Sequence, residues 1–522
     1  MMTPQPYDAT AAARALVAVP GGRDAYAEPE SRAQHSQYRQ PPQVELLRLI
    51  GQNNFRYLRN ENDGEPYAVP EAGPAIAVPL RAKAHSASGS LRQHLTREYL
   101  TAYNRTATQT ALTDAIAALD ALACGAPESQ LWLRVAPDPD DPNVTWLDLG
   151  RSDGQSVRIA PGEWTITYPD PATGPVWRRT KLVGQLPLPV SPIGGWRAGM
   201  AAFAELLPFT EKTLPLAVAW LLAALRPSIP RPVAYLTGEQ GTGKTTSGRM
   251  LVSLLDGLRT PLRQAPTNDR DLSVTATAGW TLPFDNLLKI PPSLSAFLSR
   301  VVTGSADVNR ALYSDNDVSV LAFERPVLLT GIDVGALKSD LSERMMPLEL
   351  RPITKRRTIT DLWSKYEQAH PEILGALLDL AALVWAELPH AAAELTHRPR
   401  MADFYELLYA LDRVTGWSGT TTYDGAQRDL VDAVLDGDPA IVALCNWAQS
   451  PLFPHDGWSG TMTELHGFLS ERVRPGEPFP RTAASLSACL NTAAPSLRQR
   501  GIQIARSKSN KNGRKYTITV TN

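Results

Sequence analysis

The sequence has few of the residues and patterns that mark secreted, metal-clustered and membrane-spanning chains. Only three of its 522 residues are cysteine, and Cys124, Cys445 and Cys489 lie far apart. This spacing excludes a disulfide framework and a cysteine-based zinc site, and it favours a reducing compartment. The longest apolar run, residues 214–225, is shorter than the roughly 20 residues that a membrane-spanning helix needs. We therefore expect a cytoplasmic protein that does not bind membranes.

An excess of charge of either sign is also missing. The chain has 52 Lys and Arg residues against 53 Asp and Glu residues, a net charge of −1. No field of the whole molecule therefore attracts it to nucleic acid, and any basic surface must be local. The chain is 43% hydrophobic, which is enough for several cores, and its length allows about three or four domains.

Composition and periodicity divide the chain into five segments. Residues 1–40, rich in Ala, Pro, Gln and Arg, are predicted to be a disordered tail. Residues 41–190 predict an N-terminal α+β module, helical first and β-rich afterwards. Its role stays open between oligomerisation, DNA binding and a degenerate primase-like domain. We expect an α/β core over residues 195–352, a helical lid over 353–450 and a separate C-terminal domain over 451–522.

A glycine-rich loop in the α/β core carries the clearest chemistry. The strand-like residues 233–236 precede a match to G-x-x-x-x-G-K followed by Thr, and a helical pattern follows it. Glycines let backbone N–H groups surround phosphate oxygens, and the helix directs its positive end towards them. We expect Lys244 to reach the β- and γ-phosphates of ATP and the Thr245 hydroxyl to bind Mg²⁺. The predicted ATP-binding residues are Gly238, Glu239, Gln240, Gly241, Thr242, Gly243, Lys244, Thr245 and Thr246.

Asp285 is the candidate for the acidic residue that a P-loop enzyme needs at the end of a neighbouring strand to hold Mg²⁺. Two neighbours depart from the usual pattern. Pro283 lies inside the predicted strand, where it would lose a ladder hydrogen bond. Asn286 stands where many ATPases have a second acid that activates water. The alternative is that Asp285 only caps the strand.

The order of features downstream of Asp285 indicates a family. Arg310 and a predicted hairpin at 312–323 are followed by an apolar strand that ends at Thr330, then by Arg344 and a strand at 346–350. This order, over about residues 195–450, resembles the ATPase core of superfamily 3 helicases. The resemblance is strongest to the AAA+-related primase-helicase-like ATPases of phages, plasmids and integrative elements.

The resemblance implies an α/β P-loop NTPase fold and a homo-oligomeric ring. Arg310 and its hairpin would face DNA in the channel, and Thr330 would be the sensor beside the γ-phosphate, where the family usually has Asn. Arg344 would be the arginine finger of the neighbouring subunit's site. Lys244, Asp285, Thr330 and Arg344 would then form the catalytic set.

Each of these arginines also has a simpler interpretation. Arg344 could instead form an ion pair with Asp340 or Glu343, and Arg310 could be an exposed hairpin arginine. Arg400, which follows in a segment typical of such ATPases, is a possible lid contact to phosphate or a surface residue without that role.

The C-terminal segment predicts a winged helix. A capping box at 461–464 begins a helix, further helices follow at 482–491 and 495–500, and strands at 502–505 and 515–520 flank an Asn-Gly turn. Residues 498–515 contain seven basic residues and no acid, which suits contacts with DNA phosphates. The alternative is a solvated tail or a protein-binding winged helix. The predicted DNA-binding residues of this segment are Arg498, Arg500, Arg506, Lys508, Lys511, Arg514 and Lys515.

Together these features predict a DNA-associated ATPase, a replicative helicase or initiator-type motor of a mobile element. It would use ATP and Mg²⁺ at subunit interfaces and work beside a primase or another replication partner. One alternative is a slow ATP-dependent switch in a regulatory or defence protein that does not unwind DNA. A small-molecule P-loop kinase is the other, and it leaves the basic segment unexplained.

Overall fold

The computed structural model describes residues 41–81, 89–227, 229–257, 262–304, 307–310, 318–321, 324–331, 339–354, 356–507 and 515–521. The predicted tail at 1–40 lies outside these ranges.

In its described residues, 41–81 and 89–190, the N-terminal module has three helices and two sheets. Helices α2 and α3 begin after Ser90 and Thr108, whose side chains accept hydrogen bonds from the backbone of the first turn. One sheet has the strand order β4-β1-β2-β3-β10-β5, and the other has the order β6-β7-β8-β9. The elements are α1 Gln43–Asn54, β1 Phe55–Asn60, β2 Pro66–Pro70, β3 Ile76–Pro79, α2 Leu91–Tyr103, α3 Gln109–Cys124, β4 Glu128–Ser129, β5 Leu131–Trp132, β6 Val135–Pro137, β7 Thr145–Asp148, β8 Ser156–Ala160, β9 Glu163–Thr167 and β10 Val176–Arg178.

Two expectations for this module were wrong in detail. Strands β1–β3 lie between α1 and α2, so the helices do not all precede the strands. The alternating residues 131–135 predict one strand, but the structure divides them between β5 and β6, which belong to different sheets. The run of buried residues in β2 has no period of two, which is why alternation did not reveal it.

The central unit is the expected α/β layer. Four parallel strands lie in the order β12-β15-β11-β16. Its elements are α4 Trp196–Leu206, α5 Leu214–Ala224, β11 Val233–Thr237, α6 Lys244–Asp256, α7 Asp269–Ala278, β12 Leu282–Leu287, α8 Pro292–Val301, β13 Asp307–Arg310, β14 Val318–Leu321, β15 Val327–Gly331, α9 Ser339–Ser342 and β16 Met345–Glu349. Strands β13 and β14 pair as an antiparallel hairpin apart from this sheet. This hairpin lies within the region predicted to face DNA.

Three helices follow the sheet, α10 Ile359–Glu394, α11 Ala402–Thr415 and α12 Gly419–Asp436. By length and composition α10 is apolar enough to cross a membrane, but most of its apolar stretch is buried within the protein. It packs against α4, α11 and strands β8 and β9. Helix α10 is therefore a central core helix within the segment expected to be helical at 353–450.

The C-terminal unit comprises α13 Pro439–Ala448, β17 Trp458–Thr461, α14 Met462–Ser470, α15 Ala483–Gln499, β18 Ile502–Arg506 and β19 Lys515–Val520. The antiparallel sheet has the order β17-β19-β18. Helix α13 shares one hydrophobic cluster with these elements, so the unit begins before the expected boundary at 451. The short helix predicted at 495–500 is the end of α15, which continues through Pro495.

The β6–β9 sheet and the α/β layer share a single core. Val135, Leu147, Val157 and Ile159 belong to the same buried cluster as residues of α4, α5, α6, α10 and α11. The fully buried Arg134 completes this junction by donating hydrogen bonds to the carbonyl oxygens of Asp148 (2.6 Å), Gly184 (2.6 Å) and Asp256 (2.9 Å). The N-terminal module is thus packed into the central unit through its second sheet.

Candidate nucleotide-binding site

The loop at residues 238–243 joins the carboxyl end of β11 to the start of α6. Gly238, Gly241 and Gly243 have φ angles of 139°, 86° and 80°, which favour glycine. A Cβ atom on Gly238 would lie 3.0 Å from Thr242 Oγ1 and 3.1 Å from the Leu350 carbonyl oxygen. The loop therefore needs its glycines, and it ends at a helix N-terminus whose free N–H groups favour anions.

Lys244 is the first residue of α6, and its side chain turns back across the loop. Its Nζ donates hydrogen bonds to the carbonyl oxygens of Gly238 at 2.8 Å and Glu239 at 2.9 Å. The ammonium group thus lies at the loop where the sequence predicts phosphates.

Two of the predicted residues, Thr245 and Thr330, contact the carboxylate of a third, Asp285. Thr245 Oγ1 donates to Asp285 Oδ1 at 3.1 Å, and Thr330 Oγ1 donates to the same oxygen. They meet because the carboxyl ends of the parallel strands β11, β15 and β12 lie at one edge of the sheet. A carboxylate beside a threonine hydroxyl is a set of oxygen donors that suits Mg²⁺.

The position of β12 in the sheet explains how Pro283 is tolerated, and the backbone conformation at residue 286 suits Asn. Within the described residues this strand has a sheet partner on one side, β15, and a single-residue bridge to Arg263 on the other. Leu282 donates its N–H towards β15, so the next nitrogen, that of Pro283, faces the outer side where no ladder bond is lost. Asn286 has a φ of 55°, a left-handed conformation that Asn tolerates, and its N–H donates to Thr330 Oγ1 at 3.0 Å.

Arg344 lies at the amino ends of the parallel strands, whereas this cluster lies at their carboxyl ends. It directly precedes Met345, which pairs with Val233, whereas Glu349 pairs with Thr237 beside the loop. Four residues at about 3.3 Å each separate these two levels by about 13 Å. Within its own chain the guanidinium donates to the Ser299 carbonyl oxygen at 3.0 Å and pairs with Asp340 at 3.3 Å.

Arg400 contacts the same helix, α9, as Arg344 does. It bridges Asp340, at 2.5 Å, and Glu343. Its guanidinium is therefore placed at α9 and not at the loop of its own chain, and the suggested phosphate contact has no support from this position.

The predicted DNA-binding residues are spread over two regions. Arg310 ends β13, and the residues that connect it to β14 lie outside the described part of the chain. Arg498, Arg506 and Lys515 are exposed at the end of α15 and on the β18–β19 pair. Lys508, Lys511 and Arg514 lie outside the described residues.

Arg500 differs from the other basic residues of the C-terminal unit. Its guanidinium pairs with Asp432 at 2.6 Å and Asp436 at 2.9 Å, and only 20% of the side chain is exposed. These ion pairs fasten the C-terminal unit to α12. Because its guanidinium is paired with these two aspartates, Arg500 is not part of the exposed basic surface that could contact DNA.

A cavity of about 710 Å³ beside the loop was missed by sequence reasoning. Its wall includes Gly241, Gly243 and Met250, the end of α4 and the two residues after it, Leu206, Leu207 and Pro208, and a segment that follows β16. Its volume is in the range of small-molecule and cofactor sites. From that last segment come Arg351, Ile353, Arg356, Arg357 and Ile359. No motif joins these three stretches, so only the folded chain reveals the site.

Comparison with known proteins gives two family matches and several structural neighbours. Among solved structures, SCCmec type IV Cch, titled an active helicase, shares 12% identity at a TM-score of 0.44, covering 89% of this chain and 93% of that one. The NrS-1 C-terminal region shares 11% identity at a TM-score of 0.37, covering 92% and 99%. A search of curated proteins finds no match.

The family models match most of the chain outside the N-terminal module. Residues 202–433 match the model of the actinomycete integrative conjugative element replication protein, and residues 440–522 match the AICE RepA C-terminal domain. The second match begins at α13, where the structure also begins the C-terminal unit. Over these two regions the chain is similar to the replication proteins of actinomycete integrative conjugative elements.

Proposed function

We propose that this chain is a DNA-associated, helicase-like ATPase that acts in the replication of an integrative element. The observation that carries the proposal is the meeting of Thr245, Thr330 and Asp285 at the edge of the sheet where Lys244 crosses the glycine loop. The family matches supply the replication context. Neither a bare phosphate-binding loop nor a strand-capping aspartate requires all four side chains at one place.

Each residue of this cluster has a role in hydrolysis. Lys244 would neutralise phosphate charge, and Thr245 with Asp285 would hold Mg²⁺, which would supply electrophilic stabilisation of the phosphoryl group. The Thr330 hydroxyl, which is hydrogen-bonded to Asp285, would bind the attacking water or contact the terminal phosphate. Catalysis in such a site depends on positioning and positive charge rather than on a covalent intermediate.

The cavity beside the loop is proposed as the place of the nucleotide base. Leu206, Leu207, Pro208, Ile353 and Ile359 give it apolar walls next to Gly243, where the phosphate chain would begin. A flat heteroaromatic ring is favoured by these apolar walls because it buries apolar surface against them.

The C-terminal unit is proposed as a winged helix that holds DNA. Its element order, helix, strand, two helices and a β-hairpin, with the first strand beside the last, is that of a winged helix. The exposed Arg498, Arg506 and Lys515 are offered as phosphate contacts. Homo-oligomeric ring formation, with Arg344 acting on the neighbouring subunit, is part of the same proposal.

A slow nucleotide-dependent switch is the second candidate, and one observation favours it. Asn286 occupies the position of the usual water-activating acid, and both hydroxyls of the site are bonded to Asp285. A protein of this kind would bind ATP tightly and turn it over slowly, without unwinding DNA.

The deciding experiment measures ATP turnover alone and with single-stranded and duplex DNA, with a strand-displacement assay beside it. The proposal expects DNA-stimulated turnover that is lost in Lys244→Ala. Stimulation without strand displacement supports the switch. Turnover that is unaffected by DNA and transfers phosphate to a small molecule supports a kinase. This result contradicts both the helicase-like ATPase and the switch.

A further inference from the structure

Residues 351–354 and 356–358, which lie between β16 and α10, run along the phosphate edge of the sheet. Strand β16 is parallel to β11, and its last residue, Glu349, pairs with Thr237, the residue before the glycine loop. The connection therefore leaves the sheet beside the loop. Contact is direct: a Cβ atom on Gly243 would lie 3.2 Å from Ile353 Cδ1, and one on Gly241 would lie 3.7 Å from an Arg356 Nη atom.

The three described arginines of this segment are not equivalent. Arg351 donates to the Ala204 carbonyl oxygen at 3.4 Å, and Arg357 pairs with Glu205 at 3.1 Å. Arg356 is exposed, and within the described part of the chain its guanidinium has no acceptor. It also lines the cavity beside the loop. Of the three, it is the one free to bind a ligand.

We propose that Arg356 binds the terminal phosphates of the nucleotide held by its own chain and thereby distinguishes ATP from ADP. This inference rests on the proposed nucleotide site. The guanidinium is planar and always charged, so it can make two parallel hydrogen bonds to a phosphate. Since Arg344 lies about 13 Å along the strands from the loop, it does not supply a charge there in its own subunit, whereas Arg356 is beside Gly241.

Arg356 and Arg344 would then act at a nucleotide site from different subunits of an assembly. Arg356 senses the phosphate chain from within the subunit, and any contribution of Arg344 comes from the neighbour. An arginine supplied by the same chain stabilises phosphoryl-transfer charge in other P-loop proteins by the same physical means.

Binding of ATPγS and ADP with Mg²⁺, measured by calorimetry, tests the proposal without relying on turnover. Arg356→Ala is expected to lose roughly 10- to 100-fold in ATPγS affinity, the range for hydrogen bonds to charged groups, and much less in ADP affinity. Arg356→Lys should fall between, because lysine keeps the charge but not the planar pair of donors. Arg357→Ala is the matched control: Arg357 also lines the cavity, but its guanidinium is paired with Glu205. An effect through the cavity wall should therefore change both affinities alike and leave their ratio as in the wild type.

The result that overturns the proposal is an Arg356→Ala protein whose affinities for both nucleotides match the wild type. In that case the Lys244→Ala variant shows whether the nucleotide site itself is wrong or only the role of Arg356. If Lys244→Ala loses ATPγS binding, the nucleotide site stands and only the role of Arg356 is wrong. If the wild type binds neither nucleotide, or if Lys244→Ala binds as the wild type does, both proposals are wrong.

Discussion

Replacing Arg344 with alanine tests whether the chain hydrolyses ATP between subunits. An arginine finger supplied in trans is typically worth about 10³–10⁵ in rate. Because Arg344 lies about 13 Å along the strands from its own loop, an effect on hydrolysis of that size must come from another subunit. We expect Arg344→Ala to keep ATP binding and to lose at least about 10³ in turnover.

A purely internal role for Arg344 predicts a different outcome. Its side chain is 13% exposed and bonded to Ser299 and Asp340. Removing those bonds alone would lower the free energy of unfolding by about 1–3 kcal/mol and leave turnover intact. Arg400→Ala is the matched control, because Arg400 binds the same Asp340 carboxylate and tests the loss of an α9 contact without touching β16.

The assay compares turnover of Arg344→Ala, of Lys244→Ala and of their mixture at equal total concentration. The first variant has an intact loop without a finger, and the second has an intact finger beside an inactive loop. Mixed assemblies contain some interfaces with both parts, so activity should partly return and should rise with protein concentration. Wild-type turnover in Arg344→Ala, or full activity in a wild-type monomer, refutes the interface mechanism and leaves the switch or the kinase.

The remaining predictions concern the site, the basic surface and a buried histidine. Lys244→Ala should lose nucleotide binding in a calorimetric titration, whereas Asp285→Ala should keep part of it and lose Mg²⁺-dependent turnover; normal turnover in Asp285→Ala would place the metal elsewhere. Reversing charge at Arg506 and Lys515 together should weaken DNA binding and flatten its salt dependence, while an unchanged salt slope would contradict a DNA-binding wing. Burial lowers the pKa of His370 to about 4, so the unfolded chain binds more protons below pH 6.5 and the free energy of unfolding should fall by about 2 kcal/mol between neutral pH and pH 5. Chemical denaturation of His370→Phe should lose this pH dependence, and an unchanged pH slope in that variant would show that other groups cause it.

The choice of charge reversal follows from the structure of the C-terminal unit. The sequence suggests truncation after Leu497 to remove the basic residues. Strand β19, however, pairs with both β17 and β18, and Ile518 is fully buried. Truncation would therefore unfold the unit, and a loss of DNA binding would have no clear cause. Arg506 and Lys515 are exposed and can be changed without opening this core.

The parts of the site that could be predicted are those in which one local pattern fixes the geometry. The glycine loop, Lys244 and Thr245 are contiguous, and parallel strands bring the residue at the end of β12 to the same edge. The cavity could not be predicted because its walls come from chain segments around residues 206, 243 and 353. Their proximity depends on packing rather than on sequence spacing.

The ion pairs of the arginines were partly predictable. The pairing of Arg344 with Asp340 is a contact at i, i+4 and was named as an alternative from sequence alone. Its other partner, the Ser299 carbonyl, and the pairing of Arg500 with Asp432 cross between elements that are far apart in the chain. A basic residue in a basic segment gives no sign that it faces an acidic helix in the folded molecule.

The junction around Arg134 has a consequence for how genes that encode chains of this kind can exchange parts. The region matched by the replication-protein model begins at residue 202, yet Val135, Leu147 and Ile159 complete the core beneath it. A recombinant that acquires a foreign segment up to that boundary must bring side chains of matching volume and an arginine that reaches the three carbonyl oxygens. Crossovers within residues 134–201 should therefore yield unstable hybrids unless both sides come from one parent, and the β6–β9 sheet should be inherited together with the central α/β unit.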